Sequence, residues 1–167
     1  MKRGRLVGIQ YAALPYRVKG GKLSILLISS RRTRRWIVPK GWPIEGHRAH
    51  EAAAIEAHEE AGIEGEIADQ PLGSYRYLKD IKDGQSLAVQ VIVFPLQVDG
   101  LAERYKEQGQ RTAAWFPYRH AARLVAEPSL RRLILDFGDA QSTSLLARGL
   151  RRYRTWRFGG QASNLPI

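Results

Sequence analysis

Pro39-Lys40-Gly41-Trp42-Pro43-Ile44-Glu45-Gly46, followed by a helix-forming stretch over 48–62, decides how the rest of the chain is read. Within that stretch, Glu56-Ala57-His58-Glu59-Glu60-Ala61-Gly62 sets three carboxylates at i, i+3 and i+4, on one helix face. Like charges held that close repel, and either water on an open face or a divalent cation between them relieves the repulsion. Ala49, Ala52, Ala53, Ala54 and Ala57 favour the helix, and Gly62 stands where a left-handed residue ends one. Gly41 and Gly46, with Pro43 between them, make a loop that leads into it. Spacing alone leaves two readings open, a solvated acidic face and a cation site.

Working outward, charge is segregated along the chain. Of the net +11, residues 1–40 contribute +11, residues 41–140 contribute −5 and carry every acid, and residues 141–167 contribute +5. An acidic middle flanked by basic sequence suits a polyphosphate neutralised by Mg²⁺ and cationic side chains together, and the same field suits nucleic acid. At 167 residues and 44% hydrophobic content the chain has material for one domain with a core. It contains no cysteine, which excludes disulfides, thiolate metal sites and a cysteine nucleophile, and fits a reducing cytoplasm. No apolar run reaches the ~18 residues of a membrane span, and no secretory hydrophobic region follows the basic start, so a soluble, cytoplasmic protein is expected.

Strands are expected at 7–16 and 23–28, paired as a hairpin through Gly20-Gly21, with the second buried on both faces. Ser29-Ser30-Arg31-Arg32-Thr33-Arg34-Arg35 is a loop with four arginines, read either as a solvated turn or as a phosphate clamp. Beyond the acidic helix, strands are expected at 63–67, 73–78 and 87–98, with Asp83-Gly84 at a turn. A polar loop over 101–110 then leads to a strand at Trp115 and a helix over 118–125. Pro128 to Phe137 reads as a last amphipathic helix. Gln141-Ser142-Thr143-Ser144 is expected to link a domain over 1–140 to a basic tail over 141–167, where 148–157 interleaves arginine with aromatics.

Gly41, Glu56, Ala57, Glu59, Glu60, Gly62 and Ile63 fall at the positions of the Nudix box, and Trp36-Ile37-Val38-Pro39-Lys40 resembles the strand and loop that enter it. Over roughly residues 5–135 the chain therefore resembles a Nudix hydrolase. Residue pattern alone gives an α/β domain; the resemblance implies an α/β/α sandwich around a mixed β-sheet. Two positions depart from the box: His47 stands where its first glutamate falls, and Ile55 where its arginine supports the neighbouring carboxylates.

The resemblance implies Mg²⁺, or Mn²⁺ in its place, on Glu56, Glu60 and the Lys40 carbonyl. Glu59 then takes a proton from the attacking water or orients it, a role exchangeable with Glu56. The serine-arginine loop looks most like that of the diphosphoinositol polyphosphate phosphohydrolase group, which implies phosphate contacts from Ser29, Ser30 and Arg31, and another from Arg111, four residues before Trp115. The expected reaction is hydrolysis of a diphosphate linkage in a polyphosphorylated small molecule, of diadenosine polyphosphate or diphosphoinositol polyphosphate type. Gly8, Ile9 and Gln10 replace the lysines of the inositol-binding members, which favours a nucleotide. Two alternatives stand beside it: a non-catalytic nucleotide- or RNA-binding module, and a pyrophosphohydrolase acting on RNA 5′ ends through the basic flanks. His47, His50 and His58 lack the spacing of a zinc site, and Ser29 and Ser30 lack a partner histidine for serine hydrolysis.

Overall fold

A computed structural model of the chain describes residues 6–158. Eight strands, β1 Leu6–Lys19, β2 Lys22–Ser29, β3 Trp36–Ile37, β4 Lys40–Gly41, β5 Ile63–Ile67, β6 Gly73–Asp80, β7 Ser86–Leu101 and β8 Ala113–Pro117, form one mixed sheet. The helices are α1 Ala49–Ala61, α2 Tyr118–Leu124 and α3 Pro128–Phe158.

The period-two side-chain alternation of the strands explains why helices cover both faces. Ala13 of β1 and Leu26 and Ile28 of β2 face α1, meeting Ala53, Ala57 and Ala61. Ala12, Leu14, Ile25 and Leu27 face the other way, toward Leu130, Ile134 and Phe137 of α3 and Ala121 and Ala122 of α2. Each fully buried Leu or Ile contributes about 1.5–3 kcal/mol of transfer free energy, so this two-sided burial is what holds the layers together. The outcome is the α/β/α sandwich expected from the resemblance.

The central pair is β1 and β7, which run parallel with Tyr11 opposite Ile92 and Ala13 opposite Phe94. Both strands are long enough to change partners along their length. β4 pairs with Tyr11 and Ala12 of β1, whereas β2 pairs with Tyr16 to Lys19. Likewise β6 pairs with β7 as far as Val93, and β5 takes over from Leu96. The sheet thus splits at both sides of its central pair, and the cleft described below opens at that split.

One expectation is corrected here. Gln141–Ser144 is no linker, because α3 runs through it without a break. Short polar residues are compatible with a helix when they face solvent or bond back to it, and the Thr143 hydroxyl donates to the Asp139 carbonyl at 3.0 Å. The arginine–aromatic stretch 148–157 lies on the end of this helix, and most of its side chains fall outside the described residues, as do residues 1–5 and 159–167. Among the described residues no helix is long and apolar enough to cross a membrane.

A β-carbon added at Gly138 of α3 would lie 2.0 Å from Cδ2 of Tyr118, whose hydroxyl is tied to Asp139 at 2.6 Å. Overpacking of this kind costs about 1–3 kcal/mol, more than the ~1 kcal/mol of helix propensity that alanine gains over glycine. Gly138→Ala should therefore lower the urea unfolding midpoint; an unchanged or raised midpoint would show that the α2–α3 contact is loose.

Candidate active site

The amide of Ala13 donates to the Pro39 carbonyl at 3.1 Å, just where β1 leaves β4 for β2. Around this point the loop after β4, the last turns of α1, the 30–35 loop and the 102–112 loop enclose a cleft of about 620 Å³.

The helix that carries the carboxylates is fixed at both ends. Arg48 caps its start, with its amide donating to Glu51 at 2.8 Å and its guanidinium contacting the same carboxylate at 2.9 Å. Gly62 closes it at φ 67°, its amide bonded to the His58 carbonyl at 2.8 Å. Glu56 and Glu60, one turn apart, face the cleft. Glu56 lies directly over Gly41, where an added β-carbon would be 2.1 Å from its carboxyl carbon. Burial, and then the neighbouring Glu59, push the Glu56 carboxyl above its ordinary range. Glu60 is almost fully enclosed, and desolvation raises it to about 7 against the pull of Arg111 and Lys40. Its Oε2 accepts the Lys40 amide at 3.3 Å.

Arg111 is an enclosed cation of the site, its side chain 8% accessible. Its guanidinium donates through Nη2 to Glu60 at 3.2 Å, through Nε to Glu107 at 2.8 Å and through Nη1 to the Ser29 carbonyl at 3.1 Å. The 3.2 Å contact is long for a charge-assisted bond, and desolvation of Glu60 outweighs the pull of Arg111. At the position where the box arginine was expected, α1 carries Ile55; the guanidinium beside Glu60 comes instead from 51 residues further along the chain.

In the 30–35 loop the Ser30 amide bonds to the Arg35 carbonyl at 2.8 Å, and the Arg34 amide to the Ser30 carbonyl at 3.1 Å. The turn so closed passes through Arg34 at φ 55°, a conformation rarely taken by residues other than glycine. It holds Arg31 and Arg32 at the rim of the cleft, Arg31 with 3.2 Å to Gln110 and 3.6 Å to Glu107.

Of the site residues expected from sequence, Ser30, Arg31, Lys40, Glu56, Glu60 and Arg111 line this one cleft. Ser29 and Glu59 are not among its lining. Ser29 is buried, its hydroxyl accepting the Thr112 amide at 2.9 Å. Glu59 flanks Glu56 and is paired with Lys106 at 2.9 Å. The carboxylate that sequence reasoning passed over is Glu107, which lines the cleft from the 102–112 loop. Its one signal was an acid four residues before the candidate Arg111.

Among the described residues no three His, Asp or Glu side chains converge into a closed metal cage. Mg²⁺ does not require one: it takes one or two carboxylates, keeps several waters and completes its shell with phosphate oxygens. Glu56 and Glu60, partly desolvated and facing an open cleft, fit that demand.

A NUDIX domain family model matches residues 9–137. Nudix hydrolase 21, chloroplastic, of Arabidopsis thaliana is 32% identical over 133 residues, covering 74% of this chain and 63% of that protein. Nudix hydrolase 12, mitochondrial, of the same organism is 28% identical over 119 residues, 70% of this chain and 59% of that one. The chain thus spans about three fifths of the length of these relatives. A binary complex of a C. elegans Ap4A hydrolase superposes with a TM-score of 0.58 at 21% identity, covering 84% of this chain and 98% of that one. The E. coli dihydroneopterin triphosphate pyrophosphohydrolase does so at 0.61 and 18%, covering 83% and 99%. These two likenesses concern the fold.

Two outcomes follow from the buried charges. Arg111→Met leaves Glu60 and Glu107 without their shared cation, and should cost on the order of 3–5 kcal/mol in urea unfolding. Glu60 has a folded pKa raised from 4.5 to about 7, so the folded state holds its proton more tightly than the unfolded chain does. That contribution is complete below pH ~4.5 and is lost as pH rises through ~7, a swing of roughly 3 kcal/mol. Metal-free protein in EDTA should therefore lose stability over this window, and Glu60→Gln should flatten the profile; a parallel profile would remove Glu60 as its source.

Proposed function

This chain belongs to the Nudix family, and on that premise we propose that it is a Mg²⁺-dependent pyrophosphohydrolase cleaving the diphosphate linkage of a polyphosphorylated nucleotide. The observation that supports this most is the presence, in one cleft, of the Glu56–Glu60 carboxylates and the Arg31–Arg32 guanidiniums. A polyphosphate chain laid in it meets both guanidinium donors and a cation-binding pair.

Bound Mg²⁺, or Mn²⁺ in its place, supplies charge neutralisation to the phosphate oxygens. The chain's own residues divide the remaining work. Arg31 and Arg32 hold the outer phosphate at the rim. Arg111 keeps Glu60 turned toward the cleft. A carboxylate accepts the proton of the attacking water as the new P–O bond forms, and the bridging oxygen leaves with the other phosphate. Between the exchangeable candidates for that carboxylate, Glu56 is the better placed: it faces the cleft, whereas Glu59 is held by Lys106. With Glu56 as base, Glu60 and the Lys40 carbonyl are left to hold the cation. A nucleotide is preferred to a diphosphoinositol polyphosphate because the first strand offers Gly8, Ile9 and Gln10 rather than lysines.

The test is product formation from Ap4A (read as mononucleotides such as ATP and AMP), from a diphosphoinositol polyphosphate (read as phosphate) and from a 5′-triphosphorylated RNA (read as phosphate or pyrophosphate), each with Mg²⁺ and with EDTA. Turnover of Ap4A above the others, abolished by EDTA, is expected; retention of ligand without turnover would identify a binding module instead. Glu56→Gln should lower kcat by roughly 10²–10⁴-fold, the range of general-base catalysis, with a smaller loss in Glu59→Gln. The opposite order would return the role to Glu59.

A further inference from the structure

Lys40 meets the cleft twice, through its backbone and through its side chain, and the two parts point to different sides of the sheet. In the β1–β4 pairing Gly41 stands opposite Tyr11 and Lys40 opposite Ala12. Tyr11 packs with the α1 side of the molecule and Ala12 belongs to the core on the other side. Gly41 accordingly lies against Glu56, and the Lys40 side chain leaves in the opposite direction, toward β6.

There its ammonium lies 5.1 Å from the centre of the Tyr77 ring. The Tyr77 hydroxyl is already committed, donating to Gln10 Oε1 at 2.8 Å. None of the ion pairs formed among the described residues includes Lys40. The cleft's other enclosed cation differs: Arg111 is bonded on three sides, and even the exposed Arg31 has Gln110 and Glu107. An ammonium carries three donors and no acceptor. Glu60 and Glu127 attract this one from beyond ion-pair distance, and that does not offset its withdrawal from water. A π face offsets part of that cost and satisfies none of the donors' lone-pair requirement. The group is thus set, within the same cleft as Glu56 and Glu60, to receive an oxyanion.

We propose that the Lys40 ammonium, seated over the Tyr77 ring, binds a phosphoryl group of the substrate, at a subsite across the strand from the carboxylate pair. The proposal rests on the hydrolase reading above for the identity of the oxyanion. It gives one residue two separable duties: its backbone stays beside Glu60, and its side chain grips a different phosphate. Phosphate is the fitting class because a point-like ammonium accepts tetrahedral oxygens from several directions, and because the subsite continues a cleft already lined for a polyphosphate.

Replacing the side chain leaves the backbone amide and carbonyl in place, so the two duties separate experimentally. The probe is inorganic pyrophosphate, titrated calorimetrically in the presence of Mg²⁺ against wild type, Lys40→Met and Lys40→Gln. Both variants should bind it roughly ten- to hundredfold more weakly, the loss of one charge-assisted hydrogen bond. Their Mn²⁺ affinity without pyrophosphate should not fall, since the carboxylates and the Lys40 backbone remain and a positive charge that competes for Glu60 is lost. Their melting temperatures should not fall by more than a few degrees, since no ion pair within 4 Å is lost. Equal pyrophosphate binding by wild type and both variants, or no measurable binding by wild type, overturns the subsite. A fall in Mn²⁺ affinity parallel to that for pyrophosphate also overturns it, because the effect would then run through the carboxylates. Wild-type binding that depends on Lys40, with no turnover of any polyphosphate, would leave the subsite standing and remove only the hydrolase reading.

Discussion

The guanidinium of Arg111 is the constraint on which the site depends. It joins three segments at one point: the end of β2 at Ser29, the last turn of α1 at Glu60, and the 102–112 loop at Glu107. A lysine would not serve, because a single ammonium lacks the planar fork of donors that reaches all three. The arrangement also explains how an enclosed Glu60 is tolerated. Arg111 and the charged Lys40 do not fully offset its desolvation, so the carboxyl stays well above its ordinary range.

That constraint works only because of the way the sheet divides. β1 and β7 are long, parallel and central, and each gives up one neighbour for another partway along. The carboxylates reach the resulting opening from the α1 side, while Lys40, Tyr77 and Gln10 border it from the other side. A substrate in the cleft therefore meets both layers of the sandwich, and the alternation of Lys40 and Gly41 in a two-residue strand decides which group faces which layer.

Much of this was legible from residue order. The short apolar run of 23–28 marked a doubly buried strand, and Gly62 marked the end of α1; both follow from local rules of backbone geometry. The spacing of Glu56 and Glu60 placed them on one face, and they do share the cleft. What sequence did not disclose was long-range pairing. Nothing near Glu59 announces that Lys106 holds it, and nothing near Ile55 announces that Arg111 supplies a guanidinium from another loop. Gln141–Ser144 misled for a related reason: its polar composition is equally compatible with a linker and with the solvated side of a helix, and only the continuation of α3 decides between them.

The two glycines that bracket the loop before α1 act by unlike physics. Gly46 takes φ 77° with nothing within 4 Å of an added β-carbon, so it is a swivel: the chain turns there, and the volume around it is free. Gly41 is a keyhole. Its backbone is ordinary, and the hydrogen it carries in place of a methyl is the aperture through which Glu56 reaches the strand. Residues tolerant of left-handed backbone, such as asparagine, are admissible at the swivel, whereas the keyhole admits no side chain of any kind while Glu56 remains seated.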